Sequence, residues 1–365
     1  MTKVIIPHDE LVEGGLSISQ INQLFRCRRA WKYGYVDKLA KKYERPYFTK
    51  GKLAHVGMCK AMEMKYHNPE ATIDSMINHG ETEIYMEYCD YIVGLKLGDP
   101  ELWDDETLAM LDGLEKTYEE SKIIFRRALK DFQPDKWEII TVQGYPAIEL
   151  HYVLPIRGTR LMHGFIDLVA REKETGQIWQ IDWKFKSQLS PEEDEVFNIQ
   201  NAVYTRALKR AGVEITGSLT FQALNIGPTV PNINKNGSIS RAKIRISWED
   251  YAQFCSDNGE NPANYQEEME PKLADIIWTR PTREYRSDFM MENIWKNIVQ
   301  AASYEIAAKN KKDRWYLPAI YPMNCKSCAY MPICQGELRG YDLDFIVNSE
   351  YVSKLDISLE EEEVE

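Results

Sequence analysis

The chain has 365 residues, of which 44% are hydrophobic and 28% charged, and it contains 9 Trp and 21 Tyr. This composition is typical of a folded globular protein and excludes a low-complexity chain. No apolar run approaches the roughly 18 residues that span a bilayer. The first twenty residues have neither the apolar core of a signal peptide nor the composition of a transit peptide. We therefore expect a soluble, cytoplasmic protein with no membrane partner.

The net charge of -12 is unevenly distributed along the chain. Residues 1–60 carry twelve Lys and Arg against five Asp and Glu, a net charge of +7. Aromatic residues are interleaved with these cations, among them Phe25, Trp31 and Tyr35. Such a segment can follow a phosphate backbone and stack on bases. A solvated helix face explains the charge equally well, so this pattern alone leaves both interpretations open.

The first predicted element is a helix capped by Ser17 or Ser19 and ending near Tyr35. Residues 52–132 are predicted to be mostly helical, with a break at Gly98–Pro100. The pattern then changes to strands at 147–156, 161–171 and 177–185, with a turn at 172–176. Further predicted elements are a helix at 192–211, strands at 218–224 and 242–247, and a helical region reaching about residue 310. The acidic terminus, 359–365, is expected to be disordered, with protein docking as the alternative.

Together these elements predict one α/β domain over residues 1–350, followed by an acidic tail at 351–365. We divide the domain into a basic N-terminal arm (16–50), a helical region (51–140), a strand-rich core (141–250) and C-terminal helices with a cysteine motif (251–350).

The two strands around the 172–176 turn bring two carboxylates together. If the hairpin is centred between Glu174 and Thr175, Asp167 faces Asp182. Directly opposed residues have Cβ atoms about 4.5–5.5 Å apart, close enough to share one hard cation such as Mg²⁺. Lys184 lies two positions after Asp182 and so projects from the same face. It could orient the attacking water or offset charge on a phosphate. Strand-end carboxylates paired with lysines remain the alternative explanation.

Gly164-Phe165-Ile166-Asp167 followed by Ile181-Asp182-Trp183-Lys184 resembles the PD-(D/E)XK nuclease superfamily. Three further segments resemble its RecB-type branch, which includes AddB and the CRISPR-associated exonucleases: SISQINQLFRCRRAWKYGY, GKLAHVGM and QNAVY. Arg28 departs from the branch pattern, in which a Pro usually follows the Cys. The resemblance implies a restriction-endonuclease-like mixed sheet flanked by helices, here with a helical insertion.

The resemblance also implies roles for individual residues. His55 would bind Mg²⁺ or Mn²⁺ together with Asp167 and Asp182, and the carbonyl of Trp183 would be a further ligand. Packing in the core is the alternative for His55. Gln200 and Tyr204, which lie at i and i+4, would position substrate or catalytic groups, although packing also accounts for Tyr204. Glu149 is a further acidic candidate, on a strand with a more generic pattern.

Three cysteines, Cys325, Cys328 and Cys334, lie within ten residues. In a reducing compartment such a group indicates metal ligation rather than disulfides. Three thiolates are one short of a four-ligand site, so the fourth ligand must come from elsewhere in the chain. The family resemblance implies a [4Fe–4S] cluster held by these three and Cys27, joining the two ends of the chain like a clasp. Zinc in the same four ligands is the alternative. The remaining cysteines, Cys59, Cys89 and Cys255, have no partners by spacing.

We therefore predict a Mg²⁺- or Mn²⁺-dependent DNA exonuclease acting in recombination, repair or phage and CRISPR DNA processing. Its substrate would be single-stranded DNA or DNA with free ends, in a bacterial, archaeal or phage-infected cell. No Walker A sequence is present, so unwinding would require a helicase or recombination partner. The competing interpretations are an endonuclease and a non-catalytic DNA-end-binding or assembly factor that keeps the fold.

Overall fold

The computed structural model describes residues 4–10, 12, 15–42, 46–95, 100, 103–158, 160–227, 229–274, 276–309, 316, 318–319 and 325–353. Gly98 and Asp99 of the predicted helix break lie outside these residues, as does the acidic terminus at 359–365.

Eleven α-helices are described: α1 (Ile18–Arg26), α2 (Arg28–Trp31), α3 (Pro46–His67), α4 (Ile73–Gly94), α5 (Asp105–Phe132), α6 (Ile199–Arg210), α7 (Trp248–Asp257), α8 (Ala263–Ala274), α9 (Asp288–Lys309), α10 (Met331–Leu338) and α11 (Asp344–Glu350). Ser17 caps α1 by accepting a hydrogen bond from the Gln20 amide, as predicted. The helix ends at Arg26 rather than near Tyr35, because Cys27 is extended (φ -164°, ψ 114°). Helix α2 and a π-helical turn, Lys32–Val36, continue the segment.

The ten strands are β1 (Leu39–Lys41), β2 (Trp137–Ile139), β3 (Thr141–Val142), β4 (Tyr145–Pro146), β5 (Ile148–Arg157), β6 (Arg160–Glu172), β7 (Ile178–Lys186), β8 (Gly217–Leu224), β9 (Thr279–Glu284) and β10 (Tyr351–Ser353). Six of them form the central sheet, in the order β2-β6-β7-β8-β9 with β5 also paired to β6. Strands β7 and β8 are parallel and the other pairs of this sheet are antiparallel. The predicted mixed sheet flanked by helices is thus confirmed.

Separate apolar cores cover the central sheet. Helices α3, α4 and α5 pack in the first core, where Met58, Ile84 and Phe125 cluster with Trp179 and Ile181 of β7. The second core joins α1, α6 and α9 to strands β5 and β6. The helices that carry His55 and Gln200 are therefore held against the same sheet by burial of apolar surface.

The N- and C-terminal segments are joined to each other. Strand β1 pairs antiparallel with β10. Tyr33 donates a hydrogen bond to Glu337, and the Tyr330 hydroxyl donates to the Leu39 carbonyl over 3.1 Å. Because Tyr351–Ser353 is a strand in this pair, the predicted acidic tail does not begin at residue 351.

The predicted strand at 242–247 is wrong, because this segment is irregular. Its alternating Ile244 and Ile246 pack instead into a small cluster with α7 and α8. Conversely, strand β9 was not predicted, since Pro281 argues against a strand. It lies at the edge of the sheet, where a missing amide is tolerated. The predicted helix at 192–211 is split into a 3₁₀ segment, Glu192–Phe197, and α6.

Within the described part of the chain, none of the helices combines the length and apolar composition that crossing a bilayer requires.

We expect Gly80→Ala to destabilise the protein by roughly 1–3 kcal/mol through overpacking. A Cβ at Gly80 would lie 2.9 Å from the Gly57 carbonyl oxygen of α3 and would clash with the Phe125 ring of α5. Gly113→Ala in α5 is the matched control, because a Cβ there meets nothing within 4 Å. It should gain roughly 0.5–1 kcal/mol, since alanine favours helix over glycine. Equal unfolding midpoints for the two variants in urea would contradict this account of α3–α5 packing.

Candidate metal and active site

The hairpin between β6 and β7 has the predicted register. Leu168 pairs with Ile181 and Arg171 with Ile178, as expected for a turn centred between Glu174 and Thr175. The next step in this register places Asp167 opposite Asp182. Backbone pairing stops there, and the Asp167 carboxylate accepts the Trp183 amide hydrogen bond over 2.8 Å. The two carboxylates thus lie where the paired strands separate.

A third carboxylate lies on the other side of Asp167. Strand β5 pairs Ile148 with Leu168 and Leu150 with Ile166, which places Glu149 opposite Asp167. Glu149 has φ +43°, a left-handed conformation that is costly for a residue with a Cβ. Three adjacent strands therefore contribute Glu149, Asp167 and Asp182 side by side.

Lys184 and Gln200 hold one oxygen of Asp182. The Lys184 Nζ donates to Asp182 Oδ1 over 2.8 Å and to Gln200 Oε1 over 3.1 Å. The Gln200 amide nitrogen in turn lies 3.1 Å from Asp182 Oδ1 and 2.5 Å from the Tyr204 hydroxyl. Tyr204 is buried in the second core, so it fulfils the packing interpretation and also contacts Gln200. The structure therefore brings these four predicted site residues together.

Burial and charge act in opposite directions on Lys184. Burial favours its neutral form, but the negative charges of Asp182 and Asp167 outweigh this and raise its pKa above the usual value. Lys184 is therefore a cation at neutral pH. In that form it can stabilise negative charge and cannot accept a proton.

The second oxygen of Asp182 is the site atom best placed to ligate a cation. Asp182 is fully buried, and its Oδ2 has no hydrogen-bond partner among the described residues. Burial, and next the charge of Asp182, raise the pKa of Asp167 to about 7. Two buried carboxylates with a free oxygen are unfavourable unless a cation compensates them. The ligand atoms that Asp167 and Asp182 offer are all oxygen, which suits Mg²⁺ or Mn²⁺.

Trp183 can contribute its carbonyl to the same ion. Its amide points from β7 toward Asp167, and in a strand the amide and carbonyl of one residue point to the same side. The indole ring points the other way, into the first core beside Phe132. The predicted role of Trp183 as a backbone ligand is therefore compatible with its orientation.

His55 of α3 lies between two carboxylates. Its Nδ1 is 4.0 Å from Asp167 Oδ2, and its Nε2 is 2.8 Å from Glu149 Oε1. Burial opposes the charged imidazolium, but Asp167 and Glu149 outweigh it and raise the pKa of His55 to about 9. A carboxylate on the outer nitrogen is the arrangement that fixes the orientation of a metal-binding histidine.

Two cavities meet at His55. One, of about 540 Å³, is lined by His8, Cys59 and Glu149. The other, of about 760 Å³, is lined by Lys52, Lys184 and Lys186. The candidate site is therefore open to solvent from two directions, and one of these is rich in lysine.

Much of the basic N-terminal segment contacts the C-terminal segment. Arg26 donates to the Ser327 hydroxyl over 3.0 Å, and Arg29 donates to the Tyr316 carbonyl over 3.1 Å. Lys41 pairs with Glu350, and Lys42 donates to the Asn348 carbonyl over 2.7 Å. These cations hold the two ends of the chain together, in addition to any contact with a phosphate backbone.

The four predicted cluster cysteines lie around one cavity of about 240 Å³. Burial raises the pKa of the Cys328 and Cys334 thiols, and Cys27 is close enough to raise both further. The Ala319 amide donates to Cys27 Sγ over 3.4 Å, and Cys325 Sγ lies 3.8 Å from the Ala319 carbonyl. Four thiols around a space larger than one ion are a donor set that fits an iron–sulfur cluster.

Sequence reasoning missed the role of Cys59, whose thiol donates to Glu149 Oε1 over 3.0 Å. The available signal was its position four residues after His55, on the same face of α3. It also missed a buried chain of side-chain hydrogen bonds that ties α6 to β7 and β8, for which the sequence offers no signal. Its members are Gln180, Glu195, Asn201 and Thr220.

We expect the metal-free protein to lose stability as the pH rises from about 5 to about 9. The folded-state pKa values of Asp167 and His55, about 7 and about 9, both lie above the ordinary values of these groups, 3.8 and 6.5. The folded state therefore binds extra protons in this window and loses their contribution as the pH rises. Thermal unfolding in EDTA checks this, with Asp167→Asn as the comparison. A wild-type midpoint that falls no more steeply than that of the variant would contradict the assignment.

Comparison with protein families identifies the fold's relatives. Residues 15–335 match the PD-(D/E)XK nuclease superfamily, a span that includes every candidate residue above. A search of curated proteins finds no match. Because the match covers most of the chain, the protein belongs to the PD-(D/E)XK nuclease superfamily.

Proposed function

We propose that the protein is a divalent-metal-dependent DNA nuclease of the RecB type that acts as an exonuclease. The observation that carries this proposal is the free Oδ2 of the fully buried Asp182, beside Asp167 and the Lys184 ammonium. Buried carboxylate oxygens are usually hydrogen-bonded, so a free one beside a second buried carboxylate supports cation binding here. Membership of the nuclease superfamily gives the site its chemistry, phosphodiester hydrolysis.

His55, Asp167 and Asp182, with the Trp183 carbonyl, would hold Mg²⁺ or Mn²⁺. When bound, such an ion supplies positive charge that stabilises the phosphoryl group as negative charge develops on it. Asp182 uses Oδ1 for Lys184 and Gln200, which leaves Oδ2 for the ion. Glu149 can accept a hydrogen bond from the Nε2–H of His55, so Nδ1, which faces Asp167, is the nitrogen that would lose its proton and bind the ion.

Lys184 would orient the attacking water and offset charge on the scissile phosphate. Its raised pKa keeps it positively charged, which suits this electrostatic role. Gln200 accepts one of its hydrogen bonds and restricts where the ammonium group lies. Gln200 is restrained in turn by Tyr204, which is packed in the core.

The DNA strand would approach through the lysine-lined cavity. Lys52, Lys184 and Lys186 line this space together with one acid, Glu87, whereas the cavity on the far side of His55 has two acids, Glu63 and Glu149, and one lysine, Lys60. Phosphates are therefore attracted more strongly to the lysine-lined cavity. A strand end that enters on the lysine side therefore stops near the metal ligands, which favours DNA with free ends as substrate.

We further propose that Cys27, Cys325, Cys328 and Cys334 hold a [4Fe–4S] cluster. The support is their shared cavity of about 240 Å³ and the pairing of β1 with β10 beside it. The cluster would be structural, tying together two segments that are 298 residues apart at Cys27 and Cys325. A cytoplasmic location, where thiols stay reduced, suits this chemistry.

The biological process that we propose is DNA recombination, repair or phage and CRISPR DNA processing. The chain contains no Walker A sequence, so a helicase or recombination partner would supply unwinding. This assignment rests on the RecB-type resemblance of the motifs around Cys27, His55 and Gln200.

Asp182→Asn should lower DNA cleavage with Mn²⁺ by about 10²–10³-fold or more, because it removes a charged ligand and weakens the hold on Lys184. Its unfolding midpoint in EDTA should not fall, since the change removes one of two repelling buried charges. End-labelled linear DNA measures the cleavage rate. Glu192→Gln, at an exposed residue that begins the 3₁₀ segment, is the control and should cleave normally.

If wild-type protein with an occupied cluster cleaves no DNA, and wild type and Asp182→Asn bind DNA equally, the enzyme proposal fails in favour of a DNA-end-binding factor. Circular single-stranded DNA separates the two kinds of nuclease. An exonuclease leaves it intact, and its digestion would show an endonuclease.

Purified protein should be brown and absorb near roughly 400 nm if the cluster is present. Cys27→Ser should lose this absorbance and unfold at a lower temperature, because the cluster no longer links the N-terminal segment to the C-terminal cysteines and only the protein contacts, such as the β1–β10 pairing, remain. Cys255→Ser, buried in the cluster of α7 and α8, is the control and should remain brown. A colourless wild type containing one zinc per chain would replace the iron–sulfur assignment with zinc.

A further inference from the structure

A second set of metal-binding atoms lies directly behind the carboxylate pair. The His55 imidazole, the Cys59 thiol and the Glu149 carboxylate each offer one ligand atom, and these atoms all lie within 4.8 Å of one another. Glu149 Oε1 is 2.8 Å from His55 Nε2 and 3.0 Å from Cys59 Sγ. Cys59 takes no part in the proposed cleavage, and the Nε2 side of His55 acts there only through the hydrogen bond that orients the ring.

The fold builds this group from two rigid elements. His55 and Cys59 are four residues apart on α3 and so project from the same helix face. Glu149 comes from β5, where its left-handed backbone conformation sets the direction of its side chain. A strained non-glycine residue at a polar site points to a functional constraint at that position. The cavity of about 540 Å³ that these three residues line gives an ion a route from solvent.

We propose that His55, Cys59 and Glu149 form a regulatory site for a borderline-soft divalent ion of the Zn²⁺ type. A thiolate, an imidazole and a carboxylate are the three ligand classes that zinc takes in proteins. Mg²⁺ prefers an all-oxygen shell, so the thiol selects against it. His8 lines the same cavity and offers a further nitrogen. On binding, the ion displaces the thiol proton of Cys59 to solvent.

The two ions would compete through His55. Its Nε2 faces Glu149 and Cys59, whereas its Nδ1 faces Asp167. A neutral imidazole has one nitrogen with a lone pair and one with a proton. An ion on Nε2 therefore leaves the proton on Nδ1, and Nδ1 can no longer bind an ion held by the aspartates. The two sites are negatively coupled, and the coupling must be reciprocal.

This inference rests on the proposed function, because it assigns His55 to the catalytic ion. Zn²⁺ would then inhibit the nuclease by removing His55 from the Mg²⁺ or Mn²⁺ site. It would do so without binding to Asp182. The regulated quantity is the affinity for the catalytic ion.

Co²⁺ is the probe for ligation by Cys59, because thiolate–cobalt bonds give a near-ultraviolet charge-transfer band. The protein is used with the [4Fe–4S] cluster bound at its four cysteines. We expect one equivalent of Co²⁺ to produce the charge-transfer band in this protein, and excess Zn²⁺ to remove the band. Cys59→Ser should lose the band, and the matched buried-thiol control, Cys255→Ser, should keep it. Identical cobalt difference spectra for wild type and Cys59→Ser would overturn the site. If Cys59→Ser does not fold, Glu149→Gln replaces it and should weaken Co²⁺ binding.

Competition is measured by Mn²⁺ binding, followed through the electron paramagnetic resonance signal of free Mn²⁺. One equivalent of Zn²⁺ should raise the apparent Kd for Mn²⁺ roughly tenfold in wild type and in Cys255→Ser. The increase should be absent in Cys59→Ser. A Mn²⁺ affinity that Zn²⁺ leaves unchanged in wild type would overturn the coupling.

Neither readout uses DNA cleavage. A protein that shows the cobalt band and the competition but cleaves no DNA would keep the metal site and lose the proposed function. A protein that cleaves DNA with Mn²⁺ but shows no cobalt band at Cys59 would keep the proposed function and lose the metal site.

Discussion

The repulsion between Asp167 and Asp182 is the constraint on which the rest of the site depends. Both carboxylates are buried, and one oxygen of Asp182 has no partner among the described residues. Among the described residues, the cation that contacts Asp182 is Lys184, through one carboxylate oxygen. A charge arrangement of this kind is stable only with a further cation or a bound proton. The raised pKa of Asp167 reflects the same unfavourable balance.

The fold holds this unfavourable pair in place by apolar packing on the two sides of the sheet. Helix α3 brings His55 from the first core, and α6 brings Gln200 from the second. The buried chain from Gln180 through Asn201 to Thr220 fixes α6 against β7 and β8. Each polar group of the site is thus supported by a rigid element rather than by a loop, which favours precise positioning of ligands.

The contacts between the N- and C-terminal segments also help to hold the site residues in place. Strand pairing, the Tyr33–Glu337 hydrogen bond and several ion pairs hold the N-terminal segment against α10 and α11. Cys27 and the three C-terminal cysteines line one cavity in this region. Helix α1 directly precedes Cys27 and packs on β6 through the second core, so closing the ends also secures the strand that carries Asp167.

The sequence predicted those features that follow from local pattern. The hairpin register and the Ser17 cap follow from periodicity and turn chemistry, and both are confirmed. The mixed sheet, which the family resemblance implied, is confirmed as well. The strand at 242–247 was wrong because two alternating isoleucines satisfy a small helical cluster as well as a sheet. Strand β9 was missed because Pro281 is tolerated only at an edge, and the sequence does not show which strand forms the edge. The contact between Cys59 and Glu149 joins residues 90 positions apart, which no local pattern predicts.

The most direct test of the central claim is a crystal of the protein soaked in Mn²⁺ and measured at a wavelength with strong manganese anomalous scattering. The account predicts one anomalous peak within coordination distance of Asp167, Asp182 Oδ2 and His55 Nδ1. A protein that shows no peak there, with Asp182 Oδ2 bound instead to a protein donor, would contradict it.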